Sequence, residues 1–130
     1  MHVIDPYTAP PEQWRPGAET RMRVSAANGA TQLCIFEQWL APGAGAPTHS
    51  HPVEEVLTVL SGEAEMWLDD ARTIVSAGQS LIVPAGRSHG FRNSGTATLH
   101  IHAVLASAVF EQLPEGATEM VRRWTASSSS

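Results

Sequence analysis

Glycine, proline, aspartate and asparagine cut much of this chain into short runs of branched and aromatic residues, and that punctuation is what most limits its fold. From Thr31 onward the runs read TQLCIFEQWL, EEVLTVL, EAEMWL, RTIVSAG, SLIVPAG, SHGFRN and TATLHIHAVLA. The breaks include APGAGAP, Ser61-Gly62, Asp69-Asp70 and Ser94-Gly95. Such pieces predict strands packed as a sandwich or barrel. Residues 1–30 read as an irregular N-terminal arm, because Pro6, Pro10, Pro11 and Pro16 break any helix and Trp14 needs something to pack on. Past Pro114 and Gly116, ATEMVRRW predicts a short C-terminal helix with Met120 and Trp124 on one side. The final SSSS is a low-complexity tail. One domain is expected over residues 1–130, with the arm at 1–30, a barrel at 31–106 and the tail at 107–130.

Composition removes several function classes. The net charge of −5 argues against a nucleic-acid partner. All 8 basic residues are Arg, so Schiff-base chemistry and a phosphate-binding loop of the Walker type are excluded. Cys34 is the single cysteine, so no intrachain disulfide forms. It has no spacing to a base and reads as a small buried apolar residue. The opening MHVIDPYTAPPEQW has no apolar signal core, and no apolar run approaches the roughly 18–20 residues that span a membrane. A cytoplasmic protein with no membrane partner is expected.

Four of the 6 histidines fall in His-x-His pairs. On a strand, residues i and i+2 point to one face, so His49 and His51 present two imidazoles side by side. Glu55 opens the next strand after Pro52, where hairpin pairing would carry it back over the imidazoles; His89 comes from a later strand and would close the cluster from the other side. Three imidazoles and one carboxylate suit a divalent transition metal (Fe, Mn, Zn, Ni or Cu) better than Ca or Mg. Two histidines on an exposed edge strand would show the same His-x-His pattern, so the pair alone does not decide the matter.

The residues around the pair do more. Gly43, His49, His51, Glu55 and Gly62 are separated by five, one, three and six residues; Gly78, Pro84, Gly86, His89 and Asn93 by five, one, two and three. These two stretches resemble the first and second cupin motifs at all ten fixed positions. The resemblance implies an all-β fold, the double-stranded β-helix or cupin jelly-roll barrel, often dimeric, with a metal held by the residues matched to His49, His51, Glu55 and His89. The spacing selects Glu55 over Glu54, and alternation agrees, since Glu55, Leu57 and Val59 share one face. Glycines at 43 and 62 suit tight turns, and Asn93 is placed to cap the turn at Ser94-Gly95.

Strand parity extends the site. Cys34, Phe36, Gln38 and Leu40 are expected on the inner face, in preference to the register that would bury Glu37. Phe36, Leu40, Leu57 and Phe91 then form a substrate pocket, with Gln38 as a polar group near the metal. His100 and His102 share a face opposite Leu99, Ile101 and Ala103. Either both lie outside, at a dimer contact, or His102 turns into the cavity as an uncoordinated general acid or base; the candidate catalytic pair is His102 and Gln38 on the second reading. The function expected is that of a metal-dependent enzyme acting on a small, partly apolar or aromatic substrate, first an oxygenase, with an isomerase or lyase as the alternative and a non-enzymatic binding or sensory module as the rival. Trp14, Trp39 and Trp124 suggest a homodimer.

Overall fold

A computed structural model describes residues 1–126. The terminal serines 127–130, the low-complexity tail of the sequence, lie outside the described residues. Among the described residues, twelve strands form two six-stranded sheets facing one another. In chain order the strands are β1 (Glu12–Arg15), β2 (Ala18–Val24), β3 (Cys34–Leu40), β4 (Gly45–Ser50), β5 (Glu55–Ser61), β6 (Glu63–Leu68), β7 (Ala71–Ser76), β8 (Ser80–Val83), β9 (His89–Asn93), β10 (Leu99–Leu105), β11 (Phe110–Pro114) and β12 (Val121–Arg123). One sheet runs β1-β2-β3-β10-β5-β8 and the other β12-β11-β4-β9-β6-β7. From β3 to β11 the chain changes sheet at every turn except the β6–β7 hairpin, which makes the fold a jelly roll.

Alternation in the sequence becomes an inside and an outside. Leu99, Ile101, Ala103 and Leu105 of β10 are buried, as are Cys34, Phe36, Gln38 and Leu40 of β3 and Leu57 and Val59 of β5. The turns rest on specific residues. Gly62 adopts φ +85°, a left-handed conformation that L side chains rarely take, in the tight turn between β5 and β6. At Gly45 the reason is space: a Cβ there would lie 2.0 Å from the Phe91 carbonyl oxygen. Asn93 caps its turn as expected, accepting from the Gly95 N–H at 2.9 Å, and its amide also donates to the carbonyls of Leu40 and Ala97.

Both ends of the chain differ from expectation. The arm is irregular only up to Pro11, because Glu12–Arg15 and Ala18–Val24 join the first sheet. Ala18, Thr20 and Met22 point inward while Glu19 and Arg21 point out, a two-residue alternation that the nearby prolines obscure. The predicted helix over ATEMVRRW is absent. Its segment forms a turn and then β12, which pairs Val121 with Gln112 and Arg123 with Phe110. Tertiary pairing outweighs a weak local helix preference there. The sheets therefore extend past residues 31–106 at both ends. No helix among the described residues is long and apolar enough to cross a membrane.

Candidate metal centre

His49, His51, Glu55 and His89 converge at one end of the space between the sheets, and all four are buried. Each arrives by its own local device. On β4 the register to β9 shifts between Ala46 and His49, a bulge that lets both residues face inward although they are three apart. His49 then pairs across the ladder with His89 of β9. His51 lies just past the end of β4, two residues on, with its ring 4.8 Å from that of His49. Glu55 opens β5 in the opposite sheet. This corrects the expected route: Glu55 does not return by hairpin pairing with β4 but comes across from the facing sheet, and His89 is the ladder neighbour of His49. The jelly-roll alternation of sheets is the reason.

The hydrogen bonds define which nitrogens face the centre. Nδ1 of His49 donates to the Pro47 carbonyl at 2.6 Å, Nδ1 of His51 to the Glu111 carbonyl at 2.6 Å, and Nδ1 of His89 to the Arg87 carbonyl at 3.1 Å. A carbonyl only accepts, so each Nδ1 carries the hydrogen and each Nε2 of the neutral ring keeps a lone pair. Backbone anchors of this kind orient metal-binding imidazoles. The Nε2 of His89 lies 3.1 Å from Glu55 Oε1, and that of His51 3.5 Å from the same oxygen. The His51 Nε2 is fully buried with no hydrogen-bond partner. Electron-rich atoms thus face one another around Glu55, an arrangement that a cation resolves. The four donor atoms lie within 4.8 Å of one another, where bonds of about 2.0–2.2 Å allow separations up to about 4.4 Å. Small inward movements would therefore seat one ion, and a nitrogen-rich set with one carboxylate suits a divalent transition metal.

The charges show the same demand for a positive partner beside Glu55, here a proton on a neighbouring ring. Burial opposes the charge on Glu55, but the neighbouring His51 and His89 outweigh it and hold the carboxyl down at about 2. Burial, reinforced by His89 and His51, pushes His49 down to about 3, so its ring is neutral near pH 7. His51 is also opposed by burial, yet Glu55 beside it and the Glu111 carbonyl raise it. Cys34 is buried, and burial with the Glu55 charge pushes its thiol up to about 12, in keeping with a core residue rather than a nucleophile.

A cavity adjoins the four residues. Phe36, Gln38, Leu57 and Phe91 line it, as the strand parity predicts. Leu40 does not: it is fully buried in the core beside Leu99 and Ala18. Gln38 donates from Nε2 to Thr20 Oγ1 at 2.9 Å, which fixes its amide in the wall. His102 is not in the cavity. It sits on the outer face of β10 between Glu37 and Thr58, because the buried partners of that strand are Ile101 and Ala103. His102 therefore does not line the cavity as an acid or base.

Other lining residues escaped the sequence reading. Trp14 and Arg15 come from β1, and Phe110 and Gln112 from β11. Trp14 packs with Phe36, Phe110 and Trp124 at centroid distances of 5.1 to 5.8 Å, and Phe110 stands edge-on to His51. Two of the three tryptophans expected at a subunit contact therefore pack within the chain. The one signal that pointed here was that Trp14 needs a packing partner.

Fold and site together define a small jelly-roll protein with a buried three-histidine, one-glutamate cluster between its sheets. The cupin-domain family model matches residues 36–105, more than half of the chain, and the chain belongs to the cupin family. It is 33% identical over 87 residues to Protein SchB of Streptomyces halstedii, a match covering 66% of this chain and 63% of that protein. It is 31% identical over 94 residues to polyketide synthase CurC of Streptomyces cyaneus, covering 72% of this chain and 61% of that one. The matches thus span less than two thirds of these relatives' length. The solved structure of the polyketide cyclase RemF from Streptomyces resistomycificus has a TM-score of 0.73 at 22% identity, covering 92% of this chain and 88% of that one, a likeness of fold.

The outer face carries a second ionic cluster that the expected register did not anticipate. Glu37 is buried there despite facing away from the core, since Arg23 pairs with it and His100 meets it at 2.7 Å. The His100 ring stacks on Trp39 at 4.8 Å and 14°. Burial raises the Glu37 carboxyl, but Arg23 and His100 together lower it below its ordinary value. A carboxyl depressed on folding stabilises the native state above its unfolded pKa of roughly 4.3, and that contribution fades as pH falls through the folded value. Glu37→Gln is expected to cost about 1–3 kcal/mol at pH 7 and to flatten the loss of stability between about pH 5 and 3. Urea denaturation of both proteins across that range checks it; parallel pH curves would contradict it.

Proposed function

We propose that this cupin is a metal-dependent enzyme acting on a small, partly apolar or aromatic substrate through one of its oxygen atoms. The observation that carries the reading is the anchoring of three Nδ1–H groups on backbone carbonyls, which leaves three lone pairs and the Glu55 carboxylate facing a common point beside a cavity. His49, His51, Glu55 and His89 would hold a divalent transition metal there, which would supply Lewis-acid polarisation. The cavity beside the four donors would give a substrate access to such an ion, which separates a reactive site from a closed structural one.

The chain's own groups narrow the chemistry. Apart from the four cluster residues, the only titratable group lining the cavity among the described residues is Arg15, which stays protonated. No free imidazole or carboxylate stands by as a general acid or base. Proton movement then depends on Glu55 and the cluster histidines or on water in the cavity. Phe36, Leu57, Phe91 and Phe110 exclude bulk water and present an apolar wall to the substrate. We place the reaction in carbonyl chemistry of the isomerase, lyase or cyclase kind. The names of CurC, a polyketide synthase, and RemF, a polyketide cyclase, support a substrate rich in carbonyl groups. The oxygenase is the second reading, supported by the same apolar wall, which suits dioxygen chemistry.

We also propose a homodimer. Val24, Ile35, Val104, Val56 and Ile82 form one row across five strands of the first sheet, on its outer face, and Ile82 is 60% exposed. A row of β-branched residues on a sheet face suits a second copy of the same row in a two-fold contact.

Two measurements follow. Metal-loaded protein, screened against β-dicarbonyl and polyketide-type substrates with an oxygen electrode in line, is expected to turn over at least one without consuming dioxygen. His89→Ala should lower that rate by at least about 100-fold. Equal rates from metal-stripped protein, or ligand binding without turnover, would overturn the enzyme; stoichiometric oxygen uptake would select the oxygenase. Light scattering should give a dimer mass that Val104→Arg halves; a monomer mass for the unmodified chain contradicts the dimer.

A further inference from the structure

The cavity beside the metal cluster contains one permanent charge outside that cluster, and no carboxylate among the described residues neutralises it. Arg15 lines the cavity and is half-buried. Its side chain makes one hydrogen bond, from Nη1 to the Gly45 carbonyl at 2.7 Å. Among the described residues Arg23, Arg72, Arg87, Arg92, Arg122 and Arg123 each meet a carboxylate. Arg21 lies over the Tyr7 ring on the outside of the fold. Arg15 has no such partner. The acidic residue three positions before it, Glu12, is occupied elsewhere: it accepts from the indoles of Trp14 and Trp124 and pairs with Arg123 at 3.7 Å.

The position of Arg15 gives that free charge a use. Arg15, Ala46 and Phe91 line the inner cavity and also a surface groove bordered by Pro47 and Trp67. Arg15 therefore stands where the groove meets the cavity, with its guanidinium held on the Gly45 carbonyl of the groove wall. Burial, with the charge of Arg123, pulls its pKa below the ordinary arginine value, so an anion beside it is favoured over the free state. A guanidinium offers five N–H donors in a planar fork that fits a carboxylate, and only one is engaged by the protein.

We propose that Arg15 is the specificity-determining residue of the cavity and that the substrate is a small carboxylate with an apolar or aromatic body. Its carboxylate rests on Arg15 and a second oxygen faces His49, His51, Glu55 and His89; because the inner cavity holds only about 20 Å³, the ring or chain extends past Phe91 into the groove along Ala46, Pro47 and Trp67. The inference deepens the metal-enzyme reading above and rests on it.

Salicylate and salicylamide test it, since they share a ring and an ortho oxygen and differ in charge. The full chain is loaded with Co(II), its metal content is measured, and each compound is titrated by calorimetry and by the visible spectrum of the cobalt. The unmodified protein is expected to prefer salicylate. Arg15→Gln should weaken salicylate by about 10- to 100-fold while leaving salicylamide within about threefold and cobalt content unchanged. Arg15→Lys keeps the charge without the fork and should recover part of the preference, and it stands as a second variant if Arg15→Gln does not fold. Equal weakening of both compounds, no weakening of either, or a cobalt-loaded protein that binds neither overturns the role of Arg15 alone. A folded chain that takes up no cobalt overturns the metal reading and this inference with it.

Discussion

Glu55 is a carboxylate with 2% of its side chain exposed, set between two sheets, and the structure around it is organised to make that burial tolerable. An isolated charge in such a place costs several kcal/mol. Neutral imidazoles do not compensate it; a positive partner does. Each ring is turned by a backbone carbonyl so that the nitrogen facing the cluster is the one without a fixed proton, free to bind a cation beside Glu55. The anchors are spread over the fold: Pro47 lies in the β4 bulge, Arg87 in the loop before β9, and Glu111 in β11 of the C-terminal segment. The jelly-roll path is what brings these distant carbonyls to one place. An array of lone pairs and one carboxylate at the centre of a core is poor as a stability device and well suited to a cation.

The terminal segments complete the same centre. Strand β1 adds Trp14 and β11 adds Phe110, and the two rings lie 5.1 Å apart over the cavity with Phe36 and Trp124. Glu12 ties the two ends of the chain together by accepting from the indoles of both Trp14 and Trp124. The guanidinium of Arg123 lies over Trp14 at 4.1 Å and adds a cation–π contact. By lowering access of water to the cluster, this aromatic cover strengthens every electrostatic contact inside it. It also confines Arg15 to the edge of the cavity, where its charge is felt by whatever enters.

Much of this was legible in the sequence because it depends on short-range geometry. The pairing of His49 with His51 followed from two-residue alternation and the choice of Glu55 from the cupin-like spacing, although Glu55 arrives from the facing sheet and not by a hairpin. The turn residues Gly62 and Asn93 have local conformational reasons, and Asn93 makes the expected bond to Gly95. Gln38 and Phe36 followed from counting parity along β3. What stayed hidden depends on which strands become neighbours. Nothing in the ATEMVRRW segment announces that Val121 will pair with Gln112, and the prolines before Glu12 conceal the alternation of Ala18, Thr20 and Met22. His102 shows the limit of parity most clearly: either face of β10 could have been the inner one until the burial of Ile101 and Ala103 settled it. Glu37 shows the converse, a carboxylate buried on an outer face because Arg23 of a neighbouring strand and His100 meet it there.

The account stands or falls on the cation at Glu55. Elemental analysis of the protein as purified, without added metal or chelator, addresses it directly. It predicts about one divalent transition-metal ion per chain, lost in His51→Ala and in Glu55→Gln while both variants keep the β-rich circular dichroism of the parent. A folded parent protein that carries no transition metal and takes none up from Mn, Fe, Ni, Cu or Zn solutions would contradict it.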